Sequence, residues 1–299
     1  MSNRSIVRIL PAVDTEDGAG VRLRRALGYR QDVRMDPFLM LDAFSSDDPN
    51  DYIAGFPPHP HRGFETVTYI IDGHMRHRDH LGNEGDLRAG GVQWMTAGRG
   101  IVHEEMPQQE NGLLRGFQIW LNLPAAQKMQ PAHYRDIPAA AIRTVGLPEG
   151  GFIKLIAGTI PWGHCPLRGA ERSPRATQPL IADICVMTGQ GVEIPIPATH
   201  HALLYVFQGA LDGGDQAVAP GNTVWFGDQG ETLRIAPAPN TSDGARALLL
   251  AGKPLNEPIA QYGPFVMNTS QEIEQAVRDY QNGVLASGAV KPRAAPAGR

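Results

Sequence analysis

Glycine (34) and proline (25) punctuate this 299-residue chain so densely that many short strands joined by turns are favoured over long helices. The clearest run between two such breaks is Leu114 to Leu123. Phe117, Ile119, Leu121 and Leu123 there alternate with Gln118, Trp120 and Asn122, and Pro124 ends the run. Successive side chains on a strand point to opposite faces, so this alternation predicts a strand. Thr66 to Ile71 and Val92 to Thr96 have the β-branched and aromatic content of strands. The same holds for stretches starting at Ser5, Phe152, Ile181, Gly191, Ala202, Thr223 and Arg246. One helix is predicted, near the C-terminus. Thr269 and Glu272 form a capping box, Ile273, Ala276, Val277 and Tyr280 an apolar stripe, and Gly283 the stop.

The length suits two domains, each with its own core. A mixed, proline-containing segment from Gln127 to Ala141 places the boundary at 1–135 and 136–286, with an Ala/Pro-rich tail at 287–299 expected to be disordered. Net charge is −4 and the longest basic run is Arg24-Arg25, so no nucleic-acid footprint is visible. No apolar run reaches the roughly 20 residues of a membrane span, and the N-terminus lacks the apolar core of a signal peptide. Cys165 and Cys185 form no CxxC, and His164-Cys165 has no partner in sequence for thiol chemistry. A cytoplasmic location and a monomer are expected.

Six of the ten histidines fall between Phe56 and Pro107. His59 and His61 share a face if their segment is extended, which Pro60 favours for the residue before it. By the same spacing His103 and Glu105 share a face and Glu104 points away. Two such pairs on neighbouring strands, about 4.8 Å apart, would bring three imidazoles and a carboxylate to one point. That donor set suits a first-row transition dication. Gly98 and Gly100 suit a tight turn before His103. Phe64, Trp94 and Trp120 read as core, and His77 and His80, flanked by Arg76, Arg78 and Asp79, as an exposed hairpin. In the second half, adjacent His200 and His201 would face opposite ways on a strand, which predicts a metal-free, structural barrel there.

The run His59-Pro60-His61-Arg62-Gly63-Phe64-Glu65, with Gln93 to Pro107 including Gly98-Arg99-Gly100-Ile101-Val102-His103-Glu104-Glu105, resembles the pirin family over nearly the whole chain. Asp36 to Asp42, Gly116 to Pro124 and Tyr262 to Thr269 support the likeness. The resemblance implies an all-β bicupin, two cupin-type antiparallel barrels with a short C-terminal helix. One divalent transition metal in the N-terminal barrel would be held by His59, His61, His103 and Glu105. In cupins more widely the carboxylate follows the H-x-H motif directly, which would make Glu65 the ligand. The pirin pattern favours Glu105, and either carboxylate could serve as the base. Fe(II) is the first expectation for the ion, with Ni, Co, Mn, Cu and Zn as alternatives. Members similar to quercetin 2,3-dioxygenases imply a small aromatic flavonol as substrate, opened with O2 and with release of carbon monoxide. Members that act through protein contacts leave a non-catalytic, metal-binding regulator as the alternative.

Overall fold

A computed structural model describes residues 2–162, 166–187, 189, 191–239 and 241–286. The His164-Cys165 pair and the tail at 287–299 lie outside the described residues. Within them the chain is all-β, with short 3-10 turns and a single α-helix, Ser270–Gln281. No helix among these residues is long and apolar enough to cross a membrane. The helix starts as its sequence requires. The Thr269 hydroxyl accepts from the Glu272 amide at 3.2 Å, and the Glu272 carboxylate accepts from the Thr269 amide at 2.9 Å.

Contacts group the described chain into two units. One comprises the residues up to Thr15, Arg24–Ala43 and Ile137–Asn256; the other comprises Glu16–Leu23, Phe44–Asp136 and the residues from Glu257 on. The cut at Asp136/Ile137 lies beside the boundary expected from sequence, yet neither unit is contiguous. Strand pairing explains the first exchange. Ile6–Pro11 pairs antiparallel with Asn222–Phe226, so the N-terminus completes a sheet made mostly of second-half residues. Bonds to Arg62 explain the second. The Val266 amide donates to the Arg62 carbonyl at 3.0 Å and the Arg62 guanidinium donates to Asp279 of the helix at 2.7 Å, while Ile273 and Ala276 bury against Phe265, Met267 and Leu285.

The unit rich in second-half residues contains a seven-stranded sheet in the order Ile6–Pro11, Asn222–Phe226, His201–Gln208, Ala245–Gly252, Leu180–Val186, Gly151–Ala157, Arg143–Gly146. Its core follows the strand period. Ile153 and Leu155, Ala182 and Ile184, Leu204 and Val206, and Ala247 and Leu249 are all buried in one cluster. Those inward positions are aliphatic, which suits them to packing and leaves no donors for an ion.

In the other unit, Phe56–His61, Ile101–Pro107, His74–Asp79 and Glu84–Arg88 form one sheet in that order. Facing it, a second sheet runs through His133–Ile137, Val92–Thr96, Phe64–Asp72 and Leu114–Asn122. Register sets which of its side chains meet. Thr68 lies opposite Gln93 and Gln118, and Thr66 opposite Met95 and Trp120, so these six share one face. That face is turned to the first sheet, because Thr68 bonds Glu105 and Trp120 packs on His61. Gln118 and Trp120 of Leu114–Asn122 therefore line the space between the sheets.

Candidate metal centre

Three prolines hold Phe56–His61 extended, and a strand so poor in amide donors belongs at a sheet edge, where it lies. The chain then reverses through Arg62-Gly63. Gly63 has φ +92°, and a Cβ there would collide with the Val266 carbonyl, so only glycine permits the turn. Two buried cations pin it. Arg62 donates to the Asp279 carboxylate of the helix at 2.7 Å. Lys128 Nζ donates to the Gly63 carbonyl at 2.7 Å and to Asn122 Oδ1 at 2.6 Å. Burial pushes the Lys128 amine down to about 8, against the pull of Glu257 and Glu272.

On the neighbouring strand His103 stands directly opposite His59. Ile101, His103 and Glu105 are buried, while Val102, Glu104 and Met106 are only partly so, the alternation the i,i+2 spacing predicts. Ring nitrogens of His59, His61 and His103 all come within 4.8 Å of one another, the one such group among the described residues. His59 Nδ1 lies 2.8 Å from the Pro57 carbonyl, which can only accept, so Nδ1 carries the proton and Nε2 is bare. That Nε2 faces His61 Nε2 at 3.0 Å. His103 Nε2 is buried without a hydrogen-bond partner. A buried polar nitrogen without a partner is costly, and convergent imidazole lone pairs are what a transition dication takes up. The residues fit such an ion.

At His61 and His103 protonation does not compete at neutral pH. Burial, then the neighbouring His59, holds His61 well below the ordinary histidine range, with the Pro264 carbonyl opposing weakly. Burial, then His61, His59 and His77, does the same to His103. Around the rings, Phe64 and Trp120 flank His61 at centroid distances of 5.1 and 5.3 Å. Both are buried, as is Trp94, in keeping with core positions; Phe64 and Trp120 also wall the site. His59 is only partly buried and follows exposed Pro57 and Pro58.

The two carboxylates have different surroundings. Glu105 is buried on the His103 side of its strand, but its oxygens are turned to Thr68 Oγ1 at 2.9 Å and Gln118 Nε2 at 3.0 Å, outside the three-histidine group. Glu65 lies opposite Thr96, on the face of its strand turned away from Thr68 and Gln118, and accepts from the Thr96 hydroxyl at 2.6 Å. The structure does not bring Glu65 to the imidazoles.

His77 corrects the exposed-hairpin expectation: it is fully buried and stacked on Tyr134 at 4.3 Å. Burial alternates along Met75-Arg76-His77-Arg78, with Met75 on His77's face and the arginines on the outer one. His80 is partly buried and accepts from the Val102 amide at 3.1 Å. In the other unit His200 and His201 turn to different partners, the Gln178 and Asp36 carbonyls. A cavity of about 520 Å³ there, lined by Arg168, Arg172, Arg175 and His200, has no grouped ligands among the described residues.

Comparison with known proteins agrees with the architecture. The Pirin family matches residues 20–121, and the Pirin C-terminal cupin domain matches residues 181–286. The chain belongs to the pirin family. Its two cupin domains make it an all-β bicupin. A Pseudomonas aeruginosa family member, provisionally named quercetin 2,3-dioxygenase, is 49% identical over 286 residues, 95% of this chain and 98% of its own. A Vibrio cholerae member with the same provisional name is 43% identical over 281 residues, 94% and 97% of the two chains. The crystal structure of a quercetin 2,3-dioxygenase from Acinetobacter baumannii superposes with a TM-score of 0.85 at 31% identity, over 96% of this chain and 99% of that one.

Proposed function

We propose that this pirin-family chain is a metal-dependent dioxygenase of the quercetinase type, opening a flavonol ring with O2 and releasing carbon monoxide. The observation that carries the reading is the convergence of His59, His61 and His103, with the buried His103 Nε2 left without a partner. The names of the relatives supply the reaction class. Glu105, two residues past His103 on the same buried face, is the fourth ligand of the proposed set and the group that takes the proton of the acidic flavonol hydroxyl. A bound first-row dication, Fe(II) first among the candidates, supplies Lewis acidity and reactivity toward dioxygen.

The chain's own residues prepare that chemistry. The imidazoles sit at fixed positions, since two paired strands and a buried turn hold their backbones, and burial keeps His61 and His103 neutral. Thr68 and Gln118 donate to the two Glu105 oxygens and restrain the carboxylate's rotation. Phe64 and Trp120 present apolar surface beside His61, suited to a flat aromatic ring and to excluding water.

Two measurements test the reading. Substituting His59 or His103 by Ala is expected to abolish bound metal in elemental analysis of the purified protein; retained metal would remove the site. Quercetin incubated with the Fe-, Mn-, Co- or Ni-loaded protein is expected to lose its absorbance and yield carbon monoxide in air, and not under anaerobic conditions. No oxygen-dependent loss with any of the four ions would sink the dioxygenase.

A further inference from the structure

We propose that Asp79 and His77 form a hydrogen-bonded chain that fixes His103 in the tautomer whose Nε2 lone pair faces His59 and His61, making His77 a positioning residue for the metal ligands. The proposal deepens the metal-site reading and rests on it.

The proton placement follows from donors and acceptors taken in turn, starting at Asp79. Its side chain is fully shielded from solvent. Oδ1 accepts from the Leu81 and Asn83 amides at 3.0 Å, and Oδ2 from Asn83 Nδ2 at 2.8 Å. An oxygen pair so supplied with donors acts as an acceptor toward its remaining neighbour. That neighbour is His77 Nε2 at 3.3 Å, which therefore carries the proton. With its proton on Nε2, His77 presents Nδ1 as an acceptor, and Nδ1 lies 3.3 Å from His103 Nδ1. His103 must donate there, so its own proton sits on Nδ1. Its Nε2, the buried nitrogen without a partner, is left as a lone pair. Reversing any one proton reverses all of them and would point an N–H at the ligand cluster.

The surroundings hold the chain in register. His103 lies opposite Asp79, and Glu105 opposite His77, across the pairing of Ile101–Pro107 with His74–Asp79. Tyr134 stacks on the His77 ring at an interplanar angle of 24°, fixing its plane. The Tyr134 hydroxyl is held in turn, donating to Asp136 Oδ1 at 2.6 Å and accepting from Gln93 Nε2 at 2.9 Å. Gly85, opposite His77 on the next strand, leaves the space that hydroxyl occupies, since a Cβ there would run into it. Partners of this kind, one step removed from the ion, typically change metal affinity by about 10–100-fold when removed. Here a second histidine stands between the carboxylate and the ligand.

The test uses full-length, metal-stripped protein titrated with Co(II) alone in competition with a chromophoric chelator, together with the Co(II) visible spectrum. His77→Phe keeps a ring over Tyr134 and removes the acceptor; affinity is expected to fall about 10–100-fold and the spectrum to shift. His77→Asn returns an acceptor oxygen near the Nδ1 position and is expected to recover most of the loss. Asp79→Asn lets the His77 proton move, so it should weaken binding as His77→Phe does, and it serves where the Phe variant fails to fold. Wild-type affinity in His77→Phe or Asp79→Asn, or no recovery in His77→Asn, would overturn the proposal. His59→Ala separates the two readings: if it binds Co(II) like wild type, the metal site itself is wrong. If it loses binding while the His77 and Asp79 variants do not, only the chain is wrong.

Discussion

Burial decides the chemistry of single residues here. His61 and His103 are driven below the ordinary histidine pKa of 6.5 by burial and then by neighbouring imidazoles. In acid the unfolded chain therefore binds protons that the folded chain refuses. The stability these two groups confer is fully present above about pH 6.5 and is lost as pH falls from there toward their folded values. For metal-stripped protein the slope is expected to reach about 1.4 kcal/mol per pH unit for each histidine. Thermal melts from pH 7.5 to 5 would show it, and His61→Gln should flatten it; an unchanged slope would count against the assignment. At this scale the sequence was partly legible. The i,i+2 pairs His59/His61 and His103/Glu105 announced which side chains share a face, because strand alternation is local. What alternation could not show is that Glu65 faces the other way, toward Thr96, or that Glu105 is met by Thr68 and Gln118. Those facts depend on which strand lies opposite.

Among elements, an ion pair ties the C-terminal helix to Arg62, the residue after the histidine strand. The Arg62 guanidinium is 5% exposed and donates to Asp279 and to the Arg99 carbonyl. Asp279→Ala leaves that charge without its counter-ion, and a loss of about 2 kcal/mol is expected, from the usual worth of a hydrogen bond between charged groups. Denaturant midpoints would measure it, with Asp279→Glu retaining part of the stability. The helix itself was readable in advance, since Thr269, Glu272 and the apolar stripe are signals confined to one turn or two. Its place against Phe265 and Met267 was not. Nor was the burial of His77: the arginines around it suggest a wet hairpin, and only the sheet facing it shows the Met75–His77–Asp79 face to be interior.

At the scale of the molecule, the exchange of chain ends between the two units carries a consequence for dissection. A fragment ending at residue 135 lacks Phe265–Met267 and the helix that bury with it, leaving Arg62 without Asp279 and Lys128 without the Val266 carbonyl. It is expected to show no cooperative thermal transition, whereas the chain from 1 to 286 melts as a folded protein; a sharp transition in the short fragment would refute this account. The sequence by itself determined the all-β class, the terminal helix and the family, and it singled out the three histidines proposed as ligands, because each is written in local periodicity or in contiguous motifs. Tertiary structure alone decided that Glu65 turns to Thr96, that His77 is buried beside His103, and which unit each end of the chain joins. Pairings between strands far apart in sequence make those choices, and a chain read one residue after another carries no direct mark of them.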